Sequence, residues 1–299
     1  MSTTFRRCDP PDPLLTELAA RCESSDDLAE YGLWQAVPGA MYIALDQVGR
    51  PIGMCAVHFP RGADAWLHFM RIDPTCQDRG AGTAFSAFVT AEAFRLGAVA
   101  VRLCTHWKNV RVHRIIGEKL GYRVAARLWR LRDGAAQVIL DSLPGARPGD
   151  VRGPADRELP ALEAFIRRSD FWQRSGGLVT WHEAFHAMVA FEAQDLADAH
   201  TRGELLAIGP EKSPLALALL HRRQEEGRPF VALANLWSDD WDATASLIAY
   251  AAREAVTSSA RLDVVCAAGP AGRLDPWREA LPEGSYRRAD WVVYEQRKA

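Results

Sequence analysis

The chain has 299 residues, 48% hydrophobic and 25% charged, with a formal net charge of -2. That length predicts two domains, and the composition is that of a folded globular protein rather than a disordered or fibrous one. The near-neutral charge leaves no electrostatic footprint for nucleic acid, and no run approaches the roughly 18–20 apolar residues of a membrane span.

Six scattered cysteines without a C-x-x-C pair suit a reducing compartment better than a disulfide or zinc framework. The opening residues Met1–Arg7 lead into Asp9, Pro10, Pro11, Asp12 and Pro13, with no apolar stretch of a signal peptide. The expectation is a cytoplasmic protein, monomer or homodimer, that handles a small molecule and has neither nucleic acid nor membrane as a partner.

In chain order, Leu14–Cys22 and Asp26–Gln35 predict two short helices. Met41–Leu45 and Ile52–Phe59 predict a hairpin about Val48–Gly49–Arg50, and Ala65–Ile72 a third strand. A long apolar helix opens at Gly80–Gly82 and runs to about Leu96, with Gly97 as its C-terminal cap. Ala98–Thr105 reads as a buried strand. Val112, Ile115, Ile116 and Leu120 mark an amphipathic helix stopping at Gly121, and Tyr122–Leu131 a further strand.

Pro144–Gly149 reads as a linker, and the order then repeats. Leu159, Leu162, Phe165 and Ile166 form one helical stripe, and Trp181, Phe185, Met188 and Val189 a second. Strands follow at Glu204–Ile208, Pro214–Arg222 and Pro229–Leu236, then a helix near Ala243–Thr257, a strand at Arg261–Ala267, a short helix near Pro276–Leu281 and a last strand at Tyr286–Glu295. This predicts an α/β (α+β) protein of two tandem units, each a mixed, mostly antiparallel sheet flanked by helices. The expected boundaries are 1–142, a linker 143–151, and 152–299.

The segment Ile72–Asp73–Pro74–Thr75–Cys76–Gln77–Asp78–Arg79–Gly80–Ala81–Gly82–Thr83 carries the sharpest chemical signal. A strand ends, two glycines allow a tight turn, and a helix begins whose first amides and dipole favour an anion. A Walker A loop would need lysine, and a Rossmann fingerprint would need glycine where Phe85 stands. Gln77–x–x–Gly80–x–Gly82 instead resembles the Q/R-x-x-G-x-G/A motif of the GNAT superfamily of acyl-CoA-dependent N-acyltransferases. Asn109 and the run His113 to Tyr122, with its Glu118–Lys119–Leu120–Gly121–Tyr122 end, resemble that family's later helix.

The resemblance implies acetyl-CoA as cosubstrate, with its pyrophosphate on Gln77, Asp78, Arg79, Gly80, Ala81, Gly82 and Thr83. It implies a pantetheine arm along Met70, Arg71 and Ile72, and further cofactor contacts from Asn109 and His113. No metal is expected. The family's helix tyrosine is missing from Ile115–Ile116–Gly117, and Tyr122 is expected to pack in the core. His68, nine residues before Gln77, stands where arylalkylamine N-acetyltransferases carry a strand histidine, and is the candidate base. His106, Trp107 and His113 are lesser candidates near the acyl site.

The second half reads Trp237–Ser238–Asp239–Asp240–Trp241–Asp242–Ala243 where the loop should be, without glycine and with three carboxylates. The two-unit arrangement is similar to that of tandem GNAT proteins such as mycothiol synthase and the acetyltransferase-like protein of clavulanic acid clusters. Because mycothiol synthase works with its C-terminal unit, the intact N-terminal loop argues against that activity. His182–Glu183–x–x–His186 matches the H-E-x-x-H zinc pattern. A third ligand would have to be Glu192, six residues beyond His186, or Glu204 at a predicted strand start, and Val189 stands where the metzincin pattern has glycine, so these histidines are read as helix-edge or substrate-facing residues. The leading expectation is direct acetyl transfer to the amine of a small-molecule acceptor. A non-catalytic acyl-CoA binding protein and a zinc hydrolase are the alternatives.

Overall fold

A computed structural model describes residues 3–8, 12–22, 34, 36–181, 187–225, 227–238, 240–267 and 271–298. Contacts divide them into two compact units. The first takes the described residues up to Ala125, the run 187–189 and residues 293–298; the second takes the rest.

In the first unit, strand β1 (Thr4–Cys8) pairs antiparallel with β2 (Gly39–Leu45), which pairs with β3 (Pro51–Arg61), which pairs with β4 (Asp64–Ile72). Helix α1 (Pro13–Arg21) starts at Asp12, whose side chain accepts from Leu14 N at 2.9 Å, with Pro13 already in the helical φ range. Between β2 and β3, Asp46 accepts from Val48 N and Arg50 N, fixing the turn. Helix α2 (Ala81–Arg95) then crosses to β5 (Ala100–His106), parallel to β4, and a short α3 (Val110–His113) continues as a wider π-type turn over Arg114–Lys119.

The strand beside β5 comes from the other end of the chain. In β14 (Trp291–Arg297), Glu295 pairs with buried Arg102 at 2.7 Å, and Lys298 N donates to Val99 O at 3.1 Å.

The second unit opens on β6 (Arg123–Gly134), which from Leu128 onward pairs antiparallel with β12 (Arg261–Ala267). Its sheet continues through β11 (Arg228–Ser238) and β10 (Ala216–Glu225) to β9 (Leu205–Ile208). A two-residue strand β13 (Arg287–Arg288) pairs with β6. The helices are α4 (Ala136–Asp141), α5 (Leu159–Arg168), α6 (Asp170–Arg174), α7 (Ala193–Thr201), α8 (Trp241–Ser258) and α9 (Ala271–Glu279), with a short strand β7 (Leu178–Thr180); β8 (Met188–Ala190) falls almost wholly in the run assigned to the first unit.

Both units carry the same irregularity. On β4, Phe69 and Met70 stand opposite the single residue Cys55, and Phe69 is left-handed at φ 55°. On β11, Asn235 and Leu236 stand opposite Ala218, and Asn235 has φ 52°. Each is a bulge three residues before the strand's end. Just before it, pairing with the parallel neighbour stops, at Leu67–Leu103 in one unit and Ala234–Val265 in the other. The shared defect at the same place supports the expected duplication.

Three sequence expectations change. The linear division at 142 and 152 gives way to an exchange of strands: β6 builds the second sheet and residues 293–298 build the first. The stretch read as a linker lies within the second unit, where Arg147 N donates to Ser246 Oγ at 2.9 Å. The helix expected across Trp181–Val189 is a strand at Met188–Ala190, because Ala187, Met188 and Val189 are all buried in succession, as in a strand covered on both faces. His182, Glu183 and His186 lie outside the described residues.

Candidate active site

The end of β4 leads through a short turn at Pro74–Cys76 into the start of α2. Asp73, the residue after β4, is buried and organises the turn. Its Oδ1 accepts from Thr75 N and Oγ1 at 2.9 and 2.7 Å, and its Oδ2 from Arg21 and Arg50 at 2.7 and 3.0 Å. Burial pushes this carboxyl up, but the Thr75 hydrogen bonds and the Arg21 guanidinium outweigh it and hold the pKa at about 2.

Gln77 then spans the loop, its Nε2 donating to Ile72 O at 3.3 Å while its Oε1 accepts from Arg111. Arg111 also pairs with Asp78 at 2.9 Å, offsetting the one acid in a loop read as anion-binding. Asp78 and Gly80 both have positive φ, at 62° and 83°. Gly80 is the N-cap of α2 and makes no side-chain capping bond. The first helical bond is Ala84 N to Gly80 O at 3.0 Å, so the amides of Ala81, Gly82 and Thr83 have no partner in the helix. A Cβ on Gly82 would meet Ile72 at 3.4 Å, so glycine keeps the approach to that amide open. Arg79 is exposed, and Ala81 and Thr83 are half-buried. Turned amides, a positive helix end and a compensated acid fit a pyrophosphate.

The second unit closes the corresponding place. Asp240 caps α8, its carboxylate accepting from Ala243 N at 2.7 Å, so the protein's own anion satisfies the helix start. Its bulge is filled too: buried Asn235 accepts from Thr180 N at 2.8 Å and donates to Thr180 Oγ1 at 2.7 Å, tying β7 onto β11.

Beyond Leu67 and Leu103, β4 and β5 part, leaving the main chain of Met70, Arg71 and Ile72 at an opening between strands. These three residues are half-buried, and Arg71 donates to Met70 O at 3.0 Å.

His68, one residue before the bulge, is buried, and its Nε2 lies 2.6 Å from Nδ1 of His58 on β3. Trp34 packs on both rings, with centroids 4.1 Å from His68 and 5.3 Å from His58. Burial lowers the His58 pKa to about 4, so this ring is neutral at neutral pH. A Cβ on Gly39 would strike the His58 ring, which shows how closely it is held. The pair joins residues on neighbouring strands, and only the strand register discloses it. His221, the residue of the second unit matching His58 by register, faces Glu204 at 3.3 Å instead; the position matching His68 is Ala234.

Asn109 caps α3, accepting from Val112 N at 3.3 Å. His113 is held on both sides of its ring, with Nε2 3.0 Å from Trp107 O and Nδ1 2.9 Å from the Tyr294 hydroxyl. His106 accepts from Lys108 N at 3.3 Å, and Trp107 is exposed. Tyr122 is buried with its hydroxyl 2.7 Å from Thr90 Oγ1, a packing role as expected from the sequence. Among the described residues no cluster of His, Cys, Asp and Glu could hold a metal ion, and no helix is long and apolar enough to cross a membrane.

The acetyltransferase (GNAT) family model matches residues 7–122, which span the loop, the bulged strand and both helices just described. No curated protein is detectably similar in sequence. Among solved structures, a GCN5-related N-acetyltransferase from Sphaerobacter thermophilus aligns over 99% of this chain and 95% of its own, at 12% identity and a TM-score of 0.60. A tandem GNAT protein from the clavulanic acid biosynthesis pathway aligns over 99% and 98%, at 11% identity and 0.56. A putative acetyltransferase from Pyrococcus horikoshii aligns over 99% and 90%, at 14% and 0.53. Identities this low carry the fold alone, but they carry it across both units. Residues 7–122 thus match the acetyltransferase (GNAT) family model, and the chain as a whole shares its fold with solved structures that include a tandem GNAT protein.

Proposed function

We propose that the protein transfers an acetyl group from acetyl-CoA directly to the amine of a small-molecule acceptor, and that the first unit alone holds the cosubstrate. The observation that carries this reading is the contrast between the two helix starts: open amides behind Gly80 in one unit, a carboxylate cap from Asp240 in the other. On this reading the amides of Gln77–Thr83 take the pyrophosphate, with Arg111 neutralising Asp78 beside it. The pantetheine arm pairs with the main chain of Met70–Ile72 where β4 and β5 part, and Asn109 and His113 border it.

His68 takes the proton released as the amine attacks the thioester carbonyl. The contact between His68 Nε2 and His58 Nδ1 fixes the ring beside the bulge. Bound acetyl-CoA supplies the activated acyl group; the chain supplies position, a proton acceptor and a dry strand edge.

Titration calorimetry with acetyl-CoA, with thiol release measured against a panel of amines, tests the reading. One site per chain is expected, abolished by Gly80→Asp with Gly82→Asp. His68→Ala should lower kcat by roughly 10²–10⁴-fold with little change in acetyl-CoA affinity. Two equivalent sites, or binding that survives the double substitution, would overturn the assignment to the first unit. Binding without thiol release for any amine would instead favour an acyl-CoA binding protein.

A further inference from the structure

Acyl transfer leaves a thiolate that needs a proton, and the helix position Gly117 offers no side chain to give one. A Cβ there would meet Cε1 of Tyr294 at 3.8 Å: the ring of a tyrosine from β14 lies over the bare helix position. Tyr294 is buried, at 7% exposure. It belongs with the first unit although the whole of the second unit's sequence separates it from Tyr122, the end of the family-matched segment.

Its height in the sheet follows from its neighbours. Lys298 N bonds to Val99 O and Glu295 pairs with Arg102, so β14 runs antiparallel to β5. Gln296 also donates to Leu120 O at 3.1 Å, fixing the strand against the turn after α3. That alignment sets Tyr294 about level with Leu103, the last residue of β5 still paired with β4. The residue therefore sits in the sheet one strand away from the mouth of the opening.

The proton on that hydroxyl is also placed. Trp107 O can only accept, so His113 Nε2 carries a hydrogen, and in the neutral ring Nδ1 must be the acceptor. The Tyr294 O–H thus donates to His113 at 2.9 Å in the resting state. When His113 picks up a second proton the direction reverses: Nδ1–H donates to the phenolic oxygen and the O–H is released to another acceptor.

From this arrangement we infer that Tyr294, backed by His113, is the proton donor to the leaving CoA thiolate, an inference that rests on the acyl-transfer reading above. The amine nitrogen forms its bond to the acyl carbon, and the C–S bond breaks with its electron pair going to sulfur. Tyr294 gives its hydroxyl proton to that sulfur, and the phenolate regains a proton from solvent through His113. The proton lost by the amine leaves separately through His68. Amide, free thiol and a reprotonated tyrosine balance the step.

The test is Tyr294→Phe in the full chain, which keeps the ring over Gly117. Expected is a kcat lowered roughly 10²–10⁴-fold, with the calorimetric affinity for acetyl-CoA and the thermal midpoint close to wild type. The same variant assayed with the selenoester analogue of acetyl-CoA, whose selenolate leaves without protonation, should recover most of that loss. A kcat equal to wild type, or an equal loss with both donors, would overturn the donor role. If the variant unfolds, Tyr294→Trp and a solvent isotope effect on the wild-type acyl-transfer step decide: no isotope effect overturns the role. Failure of the wild-type chain to release thiol from acetyl-CoA would overturn the acyl-transfer reading itself.

Discussion

Replacing Asp73 with Asn tests the anchor beneath the Gln77–Thr83 loop. The carboxylate is 1% exposed and takes two hydrogen bonds from Thr75 and one each from Arg21 and Arg50. Its pKa in the folded chain, about 2, lies below the ordinary 3.8. That gap corresponds to roughly 2.5 kcal/mol favouring the charged form in the native state. Asparagine can still accept from Thr75, so the variant loses mainly the two arginine pairs, and roughly 1.5–2.5 kcal/mol of first-unit stability should disappear at pH 7. Because the folded pKa is the lower one, the wild-type advantage is complete above about pH 4 and fades as the pH falls towards 2. Urea unfolding followed by the fluorescence of buried Trp34 and Trp66, at pH 7, 4 and 3, reads both effects. A difference below about 0.5 kcal/mol at pH 7, or one undiminished at pH 3, would refute the ion-pair argument.

Further predictions follow from the other fixed groups. His58 has a folded pKa of about 4 against 6.5 unfolded, so wild-type stability should decline as the pH falls from 6.5 to 4; His58→Gln should flatten that slope in thermal denaturation, and an unchanged slope would count against the buried neutral imidazole. Asn235→Leu removes both bonds to Thr180 and leaves a buried N–H without its acceptor. It should cost the second unit roughly 1–3 kcal/mol, read as a lower thermal midpoint, with acetyl-CoA affinity unaffected. Arg111→Ala leaves Asp78 uncompensated beside the proposed pyrophosphate site and should weaken acetyl-CoA binding roughly 2–5-fold, the size of an exposed ion-pair effect. Asp78→Asn in the same chain should restore it, and calorimetry that finds no restoration would remove Arg111 from this role.

What could be read from the sequence depended on how local each feature is. The Gln77–Thr83 loop is contiguous, and its glycines, strand end and helix start lie within a dozen residues. The replacement of that loop by Asp239–Asp242 was equally legible. The His58–His68 contact depends on the register of β3 against β4, including the bulge at Phe69 and Met70, which leaves no mark in hydrophobic periodicity. Strand β1 escaped because Arg6 and Arg7 break its apolar pattern, as polar residues do on an edge strand. The exchange of β6 and β14 escaped for another reason: both strands follow the last helix of their half and are similarly apolar, so nothing along the chain says which sheet each joins.

The place of residues 293–298 beside β5 also sets an order of synthesis. Strands β1 to β5 leave the ribosome first, yet the neighbour of β5 is made only after the whole second unit. At about 5–20 residues per second, residues 126–292 impose a wait of roughly ten to thirty seconds. During that time Arg102 lacks Glu295 and the edge of β5 lacks its hydrogen-bonding partner. A nascent chain in that interval has an open strand edge that chaperones and proteases recognise. Translation that stops short of Val293 leaves the first unit's sheet without the strand beside β5, even where the message encodes all of β1 to β5 and the Gln77–Thr83 loop.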